Sequence, residues 1–340
     1  WLNKLGARVT GIGLPSQTEN SFFKANKISD LVEDLTLDIR DLSSLNDLII
    51  KNQPDFVFHL AAQALVRKSY KDPLETWSTN LVGTLNILES LRLLKKKCSC
   101  ILITSDKCYE NKEWAWGYRE NDSLGGPDPY SASKACAELA IKSYVKSFFN
   151  NKKNALVKIS SARAGNVIGG GDWSEDRIVP DCIKAWSKGE IVQLRSPSST
   201  RPWQHVLEPL SGYLLLGSKL YNNDSFHGES FNFGPQIAEN NSVLDLVNMM
   251  SEFWEKVNWV CNEEAKQPYE SGLLTLNCDK AFFDLNWHSV LSFKDTIRYT
   301  IEWYKAFYED NLNIQRISLN QIDNYISLAN KKDLVWAQKK

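Results

Sequence analysis

The chain has 340 residues, 43% of them hydrophobic, which is enough to bury a core in one large or two medium domains. Lys and Arg number 40 against 41 Asp and Glu, a formal net charge of -1 that creates no global field for nucleic acid or an anionic membrane and leaves small molecules as the expected partners. No apolar run approaches the roughly 20 residues that span a bilayer, and no basic-then-apolar leader is found.

Trp1 to Leu5 reads as the last turn of a helix, with Gly6 as its C-cap, and Arg8 to Ile12 as a strand. A chain that opens in mid-helix on Trp is expected to have lost a strand and the loop before it. Polar loop residues follow to about Ser29, then a strand from Leu31 to Leu37 ending in Asp38-Ile39-Arg40-Asp41. Asp41 can cap a helix whose apolar positions Leu42, Leu45, Leu48 and Ile49 fit the 3.6 period. Phe56 to Leu60 is a near-continuous apolar run, as in a parallel strand covered on both faces, and leads into the small residues Ala61 and Ala62. Asp72-Pro73 is a helix start, and that helix runs on through Leu91.

Ile101-Leu102-Ile103 reads as a buried strand whose end carries Ser105, Asp106 and Lys107: a hydroxyl, a carboxylate and an amine side by side. A polar loop then reaches Pro129-Tyr130, the start of a helix on which Tyr130 and Lys134 share one face. An ammonium beside a phenol favours the phenolate, so this pair is expected to act as a base, with Lys134 lowering the tyrosine pKa. Tyr and Lys at this spacing also fit a plain amphipathic surface; the Ser-Asp-Lys strand end two dozen residues earlier favours chemistry. Ala155 to Ile159 reads as another strand. The alternation of strand and helix predicts an α/β fold with a doubly wound parallel sheet, in which ligands bind at the carboxyl ends of the strands.

From Arg163 the texture changes. Gly165 to Trp173 is a glycine-rich loop, which reads as a connector in the absence of a P-loop lysine. Arg201, beside Trp203, reads equally as a phosphate ligand or as a surface arginine stacked on an indole. Ser242 and Ser292 cap later helices of structural character, and residues 310–340 are a polar tail with mixed helical pattern. The expected organisation is residues 1–165 as one domain, 166–310 mainly as a second lobe, and 311–340 as a helical tail. Seven scattered cysteines with no C-x-x-C pair, together with four isolated histidines, predict no metal site and a reducing, cytoplasmic setting.

Taken together, Asp38 to Asp41, His59 to Ala62, Asn80 with Gly83-Thr84, Ser105-Asp106 and Tyr130 to Lys134 resemble the extended short-chain dehydrogenase/reductase family, with its Rossmann-like domain and smaller mixed α/β substrate-binding lobe. Within it, Gln63 to Tyr70, Thr104 to Tyr109, Gly169 to Trp173 and Thr200 to Leu210 are similar to the CDP-glucose 4,6-dehydratase branch. The likeness runs from residue 1 to about 308. It implies a cytoplasmic, homo-oligomeric enzyme of deoxysugar synthesis, with bound NAD as cofactor and CDP-glucose as substrate. It implies catalytic roles for Tyr130, Lys134, Ser105, Asp106 as acid and Lys107 as base or enolate stabiliser. Asp38, Ile39, Leu60, Ala61, Ala62, Asn80, Tyr130 and Lys134 would hold the cofactor; Gln63, Asn166, Arg195 and Arg201 would hold the substrate. Leu14 and Pro15 stand where many relatives carry an acid for the adenine ribose. A dehydratase for another nucleotide, a 4-epimerase and a non-catalytic NAD-binding sensor on the same fold are the alternatives.

Overall fold

The computed structural model describes residues 1–16, 18–150, 156–236, 241–261, 273–309 and 313–338. The first part of the chain alternates strand and helix: β1 (Thr10–Gly13), α1 (Phe22–Ala25), β2 (Glu33–Thr36), α2 (Leu42–Asn52), β3 (Phe56–His59), α3 (Val66–Lys71), α4 (Pro73–Trp77), α5 (Gly83–Leu91), β4 (Cys98–Ile103), α6 (Pro129–Tyr144) and β5 (Val157–Ala164). Local chemistry sets the helix starts. Asp41, Asp72 and Asp128 each accept a backbone N–H in the first turn of α2, α4 and α6, and proline occupies the first turn of the latter two. A π-turn over residues 78–82 joins α4 to α5, so the segment from Asp72 behaves as one long element.

Strands β3, β4 and β5 pair in parallel, and the sheet is completed by β10 (Ser230–Phe233), in the order β10-β5-β4-β3. The register puts Phe56 opposite Ser99 and Cys98 opposite Val157. β1 and β2 form a separate parallel pair, yet Ile12 of β1 packs on the same apolar cluster as Leu45, Leu88, Leu91 and Ile159. Burying these side chains from water is the main favourable term holding α2, α5 and α6 to the sheet.

Between β5 and β10 the chain makes β6 (Val167–Ile168), α7 (Ile178–Trp186), β7 (Val192–Leu194), β8 (Thr200–Arg201), β9 (Gln204–His205) and α8 (Leu207–Asn222). After β10 come β11 (Asn241–Ser242), α9 (Val243–Ser251), β12 (Trp259–Cys261), α10 (Asp279–Leu285), α11 (Phe293–Tyr308) and α12 (Ile314–Lys331). A second core gathers Ile183, Trp186, Leu246, Met250, Ile301 and Trp303 from α7, α9 and α11. Because α8 and β10 return to the parallel sheet, the expected boundary at residue 165 does not part the chain cleanly into two lobes.

Three elements, β5, α1 and α3, differ from expectation. β5 extends to Ala164 because Ser160, Ser161 and Arg163, polar in sequence, are buried and hydrogen-bonded. The polar stretch before Ser29 contains α1, and α3 interrupts the path from β3 to α4; both are too short to carry a 3.6 period. The tail forms α12, which docks inward: the Tyr325 hydroxyl donates to Glu208 Oε2 at 2.7 Å, and Tyr325 packs against Trp1 and Trp336. Glu208 also accepts the backbone N–H groups of Val290 and Leu291, and burial pushes its carboxyl up to about 7.

Candidate active site

β4 ends at Ile103, and the chain passes through Thr104 and Ser105 into a 3₁₀ turn over Asp106–Cys108. Ser105 caps that turn, its Oγ accepting the Lys107 N–H at 3.2 Å and donating to Asp106 Oδ1 at 3.0 Å. The turn is what brings three adjacent residue types to one point. Asp106 is 3% exposed, and its Oδ2 has no hydrogen-bond partner among the described residues. Burial raises its pKa, with Lys107 and the Ser105 bond opposing. A carboxyl so placed holds its proton more tightly than one in water. Gly165 backs it closely: a Cβ at 165 would lie 2.0 Å from Asp106 Oδ2. The glycine that reads as a plain connector in sequence is thus required by the acid beside it.

Tyr130 and Lys134 lie on the inner face of α6, both buried. Burial pushes the phenol up to about 12; the hydrogen bond with Ser105 opposes this and Asp106 reinforces it. The expected depression of Tyr130 by Lys134 is therefore not the state of this site. Lys134 Nζ donates instead to the Ile103 carbonyl at 3.4 Å, and burial pushes it down to about 8. Desolvation costs a buried ion more than this neighbour returns.

Behind the pair stands a buried network that the sequence reading did not single out. Glu138 accepts from Thr104 Oγ1, from Ser161 Oγ at 3.0 Å and from Arg163 Nη2 at 2.7 Å. Arg163 in turn donates to the Tyr109 hydroxyl, which donates to Asn232 Oδ1. Burial pushes Glu138 up, but the Arg163 charge together with the hydrogen bonds from Arg163, Thr104 and Ser161 outweighs it and holds the carboxyl below its usual range. Glu138 is one turn past Lys134, the same spacing that links Tyr130 to Lys134, and that spacing was the available signal.

The remaining expected residues divide into those at the cleft and those beneath it. A cleft of about 1450 Å³ is lined by Leu60, Ala62, Ser105, Asp106, Lys107, Tyr130, Lys134, Asn166, Arg195 and Arg201, among others. Leu60 is 51% exposed beside Ala62, an apolar wall with small residues that a flat ring could approach. Asp38 is paired to Arg40 at 2.5 Å, which lowers its pKa, while the Ile39 side chain is buried under Gly83. Asn80 is buried beneath the cleft. It accepts the Gln63 N–H and donates to the Gln63 carbonyl and Ser133 Oγ, tying the β3 exit to α6.

Gln63, expected as a substrate ligand, faces inward instead. Its amide bonds both backbone groups of Leu65 and the Thr76 hydroxyl, which fixes the loop after β3. Arg201 is buried, so the surface-stacking alternative falls; its positive charge reaches Asp106. Asn166 holds a left-handed backbone (φ 40°) at the cleft wall. Among the described residues no group of three or more His, Cys, Asp or Glu side chains could hold a metal ion, and no helix is long and apolar enough to cross a membrane.

This geometry can be set beside known proteins. A family described as GDP-mannose 4,6 dehydratase matches residues 2–300. The CDP-glucose 4,6-dehydratase of Salmonella typhimurium is 42% identical over 334 residues, 97% of this chain and 92% of that protein. A UDP-glucose 4-epimerase of Mycoplasma pneumoniae is 26% identical over 80% of this chain and 82% of its own length. Among solved structures, the UDP-glucuronic acid 4-epimerase of Bacillus cereus, in complex with UDP-glucuronic acid and NAD, superposes with a TM-score of 0.75 at 21% identity, over 90% of this chain and 94% of that one.

Proposed function

The chain belongs to the GDP-mannose 4,6 dehydratase family, and from that premise we propose that it is a nucleotide-sugar 4,6-dehydratase that converts CDP-glucose to CDP-4-keto-6-deoxyglucose. The 42% identity to a CDP-glucose 4,6-dehydratase over nearly the whole chain supports the substrate. The observation that carries dehydration over 4-epimerisation is Asp106. A buried acid with an unpartnered oxygen beside Ser105 has no task in a reaction that only removes and returns hydride at C4. Loss of water from C5 and C6 does need an acid at the 6-hydroxyl.

NAD fits the apolar wall of Leu60 and Ala62 with Tyr130 and Lys134 at its inner end, and when bound it supplies a hydride acceptor at C4 and a donor at C6. Asp38 and the Ile39 backbone flank the adenine side of that site. Lys134 holds the cofactor ribose, and Asn80 positions the loop carrying Ala61 and Ala62. Ser105 Oγ holds the sugar 4-oxygen. Tyr130 Oη takes the proton from the 4-hydroxyl; a positive charge brought beside it offsets the burial that keeps it a phenol. The 4-ketone acidifies C5–H, and Lys107 either takes that proton or steadies the enolate. Asp106 then protonates the leaving 6-hydroxyl. Asn166, Arg195 and Arg201 hold the diphosphate. Exposed Leu74, Val82 and Leu139 on neighbouring helices support a homo-oligomer, and seven free cysteines suit a reducing cytoplasm.

The test follows product formation from CDP-, dTDP- and UDP-glucose carrying deuterium at C4, with the full-length protein and NAD. Deuterium arriving at C6 from CDP-glucose alone is the expected result. Product from another nucleotide moves the base assignment, and an epimer with label retained at C4 overturns dehydration.

A further inference from the structure

At the outer end of the cleft a single carboxylate is shared by two arginines from separate segments. Asp176 Oδ1 accepts from Arg195 Nη1 at 3.1 Å and lies 3.3 Å from Arg67 Nη1. Arg67 is on α3, directly after the β3 exit; Arg195 follows β7 of the second lobe; Asp176 is in the loop between β6 and α7. The three side chains are each about one-third exposed, so they exchange freely with solvent-borne ions. Asp176 also holds a left-handed backbone (φ 59°), a region that Asp enters more readily than most residues other than glycine. All three line the cleft that contains Ser105 and Tyr130 at its inner end.

Two guanidinium groups converging on one singly charged oxygen make a site that a diphosphate would satisfy better. It brings more charge and more acceptor oxygens, and it pairs with guanidinium in a bidentate manner that one shared oxygen cannot provide. We propose that Arg67 is a further diphosphate-binding residue, and that Asp176 is an internal anion that keeps Arg67 and Arg195 in place until the substrate diphosphate displaces it. The inference rests on the nucleotide-sugar reading for the class of ligand, not for its base.

The exchange fixes the sign of a mutational effect. An internal carboxylate that occupies the site competes with the ligand, so apparent affinity falls by the fraction of molecules in which it is seated. Removing its charge must then tighten binding. A carboxylate that only braces the loop would do the opposite, because its loss scatters the two arginines and raises the ordering cost of binding.

The experiment is calorimetric titration of CDP, and separately of inorganic pyrophosphate, into the NAD-loaded protein. Asp176→Asn is expected to tighten both ligands about fivefold, and Arg67→Gln to weaken both about tenfold. In the double variant the gain from Asp176→Asn shrinks, because one of the two cations it competed for is gone. Glu175→Gln removes the same charge from the adjacent exposed position and is expected to change affinity less than about twofold. Weaker or unchanged binding in Asp176→Asn, or an equal gain in Glu175→Gln, overturns the proposal. Pyrophosphate carries no base, so an error in the assignment of CDP-glucose cannot imitate either result.

Discussion

The two ends of the cleft are built on opposite principles. At the inner end Ser105, Asp106, Tyr130 and Lys134 are all buried, and Tyr130 and Asp106 are pushed towards their neutral forms, as Lys134 is pushed down. At the outer end Arg67, Asp176 and Arg195 stay partly in water, with their charges paired but exchangeable. Proton transfer needs groups whose pKa values have been moved, and only desolvation beside chosen neighbours moves them far. Anion capture needs full charges that can change partners, which burial would penalise. One cleft meets both needs because the turn at Asp106–Cys108 lies on the sheet while Asp176 and Arg195 lie on loops of the second lobe.

The largest effect that separates the ends is Tyr130→Phe. Turnover should fall by about 10³-fold, roughly 4 kcal/mol of barrier, while CDP binding measured by calorimetry stays within about twofold. Loss of both together would mean the two ends are not independent. Gly165→Ala is a subtler break of the inner end, since the new methyl runs into the Asp106 carboxyl. A drop in turnover of about 100-fold with little change in CDP affinity is expected from displacing the acid by an ångström or so. Retained activity in a folded variant would show that Asp106 is not held where the chemistry needs it.

Glu208 sharpens what burial does by itself, away from any reacting atom. Its folded pKa of about 7 lies above the ordinary glutamate value of 4.5, so the folded state binds the proton more tightly. The associated stability is present below the unfolded pKa and is lost as pH rises through the folded one. Denaturant unfolding should show about 2 kcal/mol lost on this account between about pH 5.5 and about pH 8. Glu208→Gln should flatten that slope; an unchanged slope would assign it to other groups.

Much of the fold was legible because its signals are local. Asp41, Asp72 and the Pro129-Tyr130 stretch announce helix starts, Ile101-Leu102-Ile103 reads as a buried run, and Tyr130 with Lys134 share a helix face by spacing alone. The apolar run of β5 ends at Ile159 in the sequence because Ser160, Ser161 and Arg163 interrupt it. Their partners, Glu229, Ser230 and Glu138, lie tens of residues away in sequence. The family resemblance places Gln63 among the substrate ligands; only the packed loop reveals that its amide is already engaged by Leu65 and Thr76.

The sequence by itself determined which chemistry is available: a phenol, an ammonium, a hydroxyl and a carboxyl at strand and helix ends, in a spacing shared with a family of nucleotide-sugar enzymes. Tertiary structure alone decided their states. Whether Tyr130 is phenol or phenolate, whether Asp106 keeps its proton, and which arginines meet one anion depend on solvent exclusion and on distances between segments far apart in the chain. Desolvation and charge–charge energies are properties of that arrangement in space, and residue types at a spacing do not contain them.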